Sequence, residues 1–332
     1  MRLPHLGIMQ YDMKAAMIND KSRDIALDML KGLCILLVVY GHLPRTGYLH
    51  ENLESLVKFI YTFHMPVFVL LSGFFFARHS KSVGKVASRI VKPYLAVALA
   101  FIPLLYVVKR PPDATLWSMF LDVFAGHAGG ALWYLYDLAI VELLAIGGVY
   151  LLGRVQRIAE SAAWECFCVA ITVAIGCLVL NLNGGAFVRL IPVWFWLYFL
   201  IGYVCGKTCR EFPASVWGIG GMALSVFFLH IGRDSWGNYV WVLSLLAFSV
   251  WFLRKMKDTA VANGISYMGR HSLAILLFHP VFNHVVNPVF ACVLRVEGSG
   301  IAVGLLSLAA NVALCLALET GIKRTPLARI VF

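Results

Sequence analysis

The chain has 332 residues, 61% of them hydrophobic and only 14% charged, with a mean hydropathy of +0.81. Those values lie far outside an ordinary soluble domain and, with no stretch left over for one, place the protein in a membrane. The net charge of +11 does not indicate nucleic acid, because the basic residues sit in short loops between apolar runs and form no single patch.

At the start of the chain, Asp24 and Asp28 lie against the first apolar run, and "GHLPRTGY" follows it without a small-x-small cleavage site. That argues for a retained first span over a signal peptide. Apolar windows able to cross about 30 Å of hydrocarbon recur at roughly 25–43, 54–76, 90–108, 131–152, 163–181, 190–206, 215–231, 238–253, 272–294 and 300–319. The expected fold is all-α, a polytopic bundle of about ten transmembrane helices in one domain, 25–320, between tails at 1–24 and 321–332. Lys and Arg number about 21 in the first tail and alternate loops against about 6 on the other side, with Lys58 inside a span. The positive-inside bias then puts both termini in the cytoplasm and calls for an even number of crossings.

The first span, "DMLKGLCILLVVYGHLP", carries an acid and a lysine at one end and a histidine at the other. Lys31 and His42 are eleven positions apart, which returns them to within about 20° of one helix face and separates them by roughly 16 Å along the axis. Asp28 falls about 40° away on the same face. Such a stripe cannot face lipid, where a central Asp or Lys costs about 2.5 to 3.5 kcal/mol, so it must line the bundle interior or a wet cavity. A structural reading is that Lys31 snorkels, Asp28 caps the helix and His42 is a satisfied interior residue.

In the second span His64 precedes Pro66, which frees a backbone carbonyl one turn earlier, so a kink-stabilising bond and a site role both fit. Ser72 and Gly73 read as close-packing residues. The loop after it, with Arg78, Lys81, Lys85, Arg89 and Lys92, carries cations that topology alone accounts for but that also suit a polyphosphate. Trp133, Tyr134 and Tyr136 open the fourth span and Trp236, Tyr239 and Trp241 the eighth, either as interfacial aromatics or as flat faces for sugar rings. Asp137 and Glu142 lie within the fourth span and need partners that the sequence does not name. In the ninth, His279, Asn283 and Asn287 fall at four-residue steps with His284 beside them, again facing inward or satisfying the backbone that Pro280 loosens. Of the eight cysteines, Cys34, Cys177, Cys292 and Cys315 lie in apolar runs, and Cys205 with Cys209 falls short of a four-ligand zinc site, so no metal is expected.

Taken as a set, these segments resemble the integral-membrane acyltransferase 3 family. "DMLKGLCILLVVYGH" is similar to its first-helix signature, an Asp followed by a basic residue, ten mostly apolar residues and a histidine. "FHMPVFVLLSGFFFARH", "SRIVKPYL", "ALWYLYDL" and "ISYMGRHSLAILLFHP" resemble its later landmarks, in order, from about residue 23 to 284. Lys31 in place of the commoner Arg is similar to the fucose 4-O-acetylase-like branch; lysine binds phosphate as a point charge, without the bidentate contact of Arg.

The resemblance implies an acyl-CoA-dependent O-acyltransferase of a bacterial inner membrane, passing an acetyl or related short acyl group from acetyl-CoA to a hydroxyl of a glycan or its lipid-linked precursor. His42 and His64 are the expected catalytic residues, Lys31 and Arg89 the donor-binding ones, and His279, Asn283 and Trp133 the acceptor-binding ones. A base at the hydroxyl suits this chemistry, and histidine is the natural choice. No G-x-S-x-G nucleophile motif is present, so direct transfer is expected. The partners implied are the glycan or lipid-linked sugar and membrane lipids; no protein partner is indicated. A transporter or flippase for a lipid-linked glycan stays open, since intramembrane charges and broken helices suit it too, although no inverted repeat supports it.

Overall fold

A computed structural model of the protein describes residues 24–43, 50–79, 82–109, 115–128, 130–154, 161–183, 188–294 and 300–332. The tail before residue 24 and the remaining loops lie outside the described residues. All regular structure among them is helical. Helix α1 (Ile25–His42) starts where Asp24, not Asp28, caps it: the Asp24 carboxylate accepts the Ala26 N–H at 3.0 Å.

The second expected span is two helices, α2 (His50–Tyr61) and α3 (His64–Arg78), broken at Thr62 and Phe63. Pro66 has no N–H to offer the Thr62 carbonyl. Asn238 supplies the missing donor, its Nδ2 reaching Thr62 O at 2.8 Å. The short helix Val83–Val86 and a π-helical turn, Ala87–Val91, then run into α4 (Lys92–Lys109). The wide turn sits where Pro93 cannot donate to the Arg89 carbonyl, a usual setting for such a bulge.

Next comes α5 (Leu116–Phe124), a two-turn helix opened by a reciprocal Thr115–Ser118 capping box. It is followed by α6 (Trp133–Arg154), α7 (Ala162–Asn183), α8 (Val193–Thr208), α9 (Gly218–Phe228) and α10 (Trp236–Met256). The last elements are α11 (Ala260–Arg270), α12 (Ser272–Leu294), α13 (Gly300–Lys323) and the terminal turn α14 (Ala328–Val331).

Two glycine crossings set the core. A Cβ on Gly32 would stand 2.0 Å from the Ile265 carbonyl oxygen, and one on Gly269 would stand 1.8 Å from that of Asp28, so α1 and α11 touch backbone to backbone. Gly73 and Gly202 do the same for α3 and α8, at 2.1 Å from Phe199 O and 1.9 Å from Leu70 O. Membrane helices gain most of their association from such close packing, because lipid offers no hydrophobic drive between them. Helix α1 is thereby deeply enclosed, with Met29, Ile35, Val38 and Val39 almost wholly buried.

Seven helical segments among the described residues are long and apolar enough to cross a membrane, where the sequence reading expects about ten. The segment 190–206 yields α8, of 16 residues, and 215–231 yields α9, of only 11. Helix α12 has 23 residues, but several of its side chains lie outside the described ones. At 1.5 Å per residue α9 reaches about 16 Å. It packs along only part of α10: Ser215 N–H bonds the Ala247 carbonyl, and Gly237 abuts His230 O. Glycine runs and the turn at Leu229–Ser235 shorten this helix where hydropathy alone reads a full span.

Asp137, fully buried, has Arg189 Nε at 3.4 Å, and Glu142 lies within electrostatic reach of Arg89. Glu319, unremarked in the sequence, is buried in α13 and ties His271 at 2.7 Å to Lys323 at 2.6 Å, bracing the break between α11 and α12.

Candidate active site

Helix α1 ends at His42, and the α1–α12 contact brings that ring against His279. His42 Nδ1 and His279 Nε2 are 2.8 Å apart. The rings are within 2° of parallel with centroids 5.1 Å apart. That centroid distance equals the N···N contact plus two ring radii, so the rings meet edge to edge in one plane, the geometry of an in-plane hydrogen bond. His279 is fully buried, and its Nδ1 is 2.9 Å from the Ile275 carbonyl.

His42 lines a cavity of about 230 Å³ between the end of α1, the middle of α4, α5 with its following loop, and α12. Asp122, His127, Asn283 and His284 add polar groups to a wall made mostly of apolar residues such as Phe101 and Leu277. Left-handed glycines shape one side of this region: Gly130, at φ +74°, turns back against Pro280, and Gly126, at φ +82°, against the Tyr136 ring. Asn283 is 2% exposed, and neither its Nδ2 nor its Oδ1 has a hydrogen-bond partner among the described residues. A buried amide left unbonded costs about 1–3 kcal/mol, which makes this side chain the clearest sign of a ligand in the cavity.

The other expected site residues lie elsewhere. Lys31 pairs with Asp28 at 2.7 Å, with its ammonium 4.9 Å from the Phe75 ring centroid, and does not line the cavity. Between it and His42, the α1 side chains Cys34, Ile35 and Val38 are buried, so packed hydrocarbon separates the two ends. His64 is buried too; its Nδ1–H donates to the Ile60 carbonyl at 2.7 Å, and Tyr61 stands between it and His42, with centroids 4.9 Å and 6.4 Å away respectively. Arg89 is exposed on the π-helical turn, in the field of Glu142. Trp133 is half-buried, with the Arg189 guanidinium 4.9 Å over its ring and Trp194 and Phe195 against its edges. The Asn287 side chain lies outside the described residues.

Sequence reasoning placed His279 and Asn283 on one face of a helix but had no means to place His279 against His42, 237 residues away in the chain. It missed Asp122 and His127, because α5 is too short for a hydropathy window. The capping pattern Thr115–Ser118 was the signal available there.

The family model described as an acyltransferase domain, acyltransferase 3, matches residues 24–320, from the cap of α1 to near the end of α13. The chain belongs to the acyltransferase 3 family. It is a multi-pass membrane protein of that family, and His42, at the end of α1, is the point where the α1 motif and the cavity meet. A 58-residue stretch is 41% identical to the nodulation protein NolL of Sinorhizobium fredii, covering 16% of this chain and 16% of that protein. No solved structure matches.

Proposed function

We propose that this acyltransferase 3 protein transfers an acetyl or related short acyl group from acyl-CoA to a hydroxyl of a cell-surface glycan or its lipid-linked precursor, in a bacterial inner membrane with both termini cytoplasmic. The observation that carries this reading is the meeting, in one small cavity, of a histidine base and the buried, unbonded amide of Asn283. The cavity falls below the roughly 300–1,000 Å³ that encloses a drug-sized ligand. It suits the reacting ends of two substrates whose bulk lies outside.

In the proposed step, His42 takes the proton of the acceptor hydroxyl as its oxygen attacks the thioester carbonyl. The carbon–sulfur bond then breaks, and the leaving thiolate takes that proton back from the imidazolium, which restores the neutral ring. General-base assistance of this kind is worth about 10²- to 10⁴-fold. Asn283 Nδ2 donates to the carbonyl oxygen as it gains negative charge, or its Oδ1 accepts from the acceptor hydroxyl. Lys31, Arg89 and the basic residues around them would hold the phosphates of CoA at the opposite end. Because packed side chains fill α1 between Lys31 and His42, the donor arm reaches the base only when neighbouring helices part.

Membranes containing the protein, supplied with labelled acetyl-CoA and surface glycan, should transfer label to the glycan, and His42→Ala should abolish that transfer. Normal insertion of His42→Ala with undiminished labelling would remove the assignment. Movement of an acceptor across the membrane without labelling would favour transport.

A further inference from the structure

We infer that His279 is a positioning residue that sets the tautomer of His42, holding the basic lone pair of His42 on Nε2. This rests on the acyl-transfer reading of the cavity. The Ile275 carbonyl only accepts, so the His279 Nδ1 that meets it at 2.9 Å carries a hydrogen. The Leu276 carbonyl, freed because Pro280 has no N–H, lies within reach of the same ring. A neutral His279 therefore presents Nε2 as an acceptor. His42 Nδ1, 2.8 Å away and in the same plane, must then be the donor. The reverse direction would need an imidazolium at His279, a charge in a site with no solvent exposure.

The consequence is chemical. In water neutral histidine favours the Nε2–H form, whose Nε2 cannot take a proton. The relay Ile275 C=O, His279, His42 selects the other form, so His42 stands ready as a base before substrate arrives. When His42 takes up the hydroxyl proton, its Nδ1–H already has an acceptor, and the new charge is shared along the bond. A carboxylate does this work in a Ser-His-Asp triad. Here the acceptor is a neutral ring, which spares the fold the desolvation cost of burying an anion. Asp28 cannot serve, since it sits about four turns away on α1. The relay also gives Pro280 a purpose: it loosens the α12 backbone at the turn whose carbonyls the His279 ring engages.

The test uses the full chain in lipid nanodiscs with nitrogen-15-labelled imidazoles. The His42 signals are assigned by comparison with His42→Gln, and acetyl transfer is measured in parallel on wild type, His279→Leu and His279→Gln. Wild type should show neutral His42 protonated on Nδ1. His279→Leu should move that proton to Nε2 and lower kcat by at least about 10²-fold, with KM for acceptor changed little. His279→Gln, whose amide oxygen can still accept from His42, should recover part of both. An Nε2-protonated His42 in wild type overturns the relay, and so does a His279→Leu protein with wild-type kcat. Should His279→Leu fail to fold, the wild-type spectrum decides. Absence of acyl transfer in wild type, or its retention in His42→Ala, would sink the acyl-transfer reading while the spectrum still reports the tautomer.

Discussion

Asn283 shows at the scale of one residue how function and stability pull apart. Its amide is buried with neither polar atom bonded, so the fold loses by keeping it. Replacing it with Leu, which keeps the branched four-atom framework without polar atoms, should raise the thermal midpoint of the purified protein while cutting transfer by about ten- to a hundredfold; a fall in stability would show that the amide has a structural role. Lys31 and Asp28 invite a different test. Asp28 is buried and its carboxylate is 2.7 Å from the Lys31 ammonium, so removing Asp28 alone leaves a cation in the bundle without that partner. Breaking such a pair costs up to about 3–5 kcal/mol, whereas replacing both members with apolar side chains can be nearly neutral. Asp28→Leu should therefore insert poorly, and Asp28→Leu with Lys31→Met should recover the protein in detergent without recovering transfer from CoA. Recovery of full activity in the double variant would exclude Lys31 from donor binding.

Elements differ in how much of them the sequence exposes. The polar stripe of α1 was legible because helical periodicity alone puts Asp28, Lys31 and His42 on one face, and the structure buries that helix as lipid exclusion demands. The α2–α3 break was legible in part, since Pro66 announces a lost bond, but the donor that replaces it, Asn238, comes from 176 positions away. Helices α5 and α11 were not legible as helices. At 9 and 11 residues they fall below any hydropathy window, and α11 exists as a partner for α1 through Gly269, a contact written in two glycines 237 residues apart. That contact makes a sharp prediction. Gly269→Leu must push a Cβ into space 1.8 Å from Asp28 O, displacing α1 and the residues it carries, so folded yield should collapse. Gly264, on the same helix, has nothing within 4 Å of an added Cβ, and Gly264→Ala should be neutral or stabilising by about 0.5–1 kcal/mol. Equal tolerance of both substitutions in detergent-extracted yield would show that the crossing contributes little.

At the scale of the whole molecule, the question is how many times the chain crosses, because parity decides which side each loop faces. Seven crossings alone would put residues near the two ends of the chain on opposite sides, against the charge asymmetry. Contacts within the bundle speak for more. Helix α8 is tied to α7 at both ends: Lys207 meets Glu165 at 2.9 Å, and the Ile191 N–H and carbonyl bond the Asn181 side chain at 2.9 Å. A 16-residue helix fastened to both ends of a 22-residue span traverses the same slab. Arg254 reaches Asp24 at 2.9 Å, and Arg78 bonds the Arg210 carbonyl at 2.6 Å, so the end of α10, the start of α1 and the ends of α3 and α8 gather at one face. With α10 starting on the other side and running back to that face, the chain from Cys209 to Ser235, more than half of it non-helical, must make the outward crossing, and buried contacts such as Phe212 against Phe74 shelter its irregular backbone from lipid. Thus Lys257 and Asp234 should lie on opposite sides. In a variant with native cysteines replaced, Asp234→Cys in intact cells should react with a membrane-impermeant maleimide, whereas Lys257→Cys should react only after permeabilisation. Labelling of Lys257→Cys from outside, or of both positions alike, would refute the cytoplasmic placement of the Lys31 end and, with it, the delivery of a cytoplasmic thioester to His42 from that side.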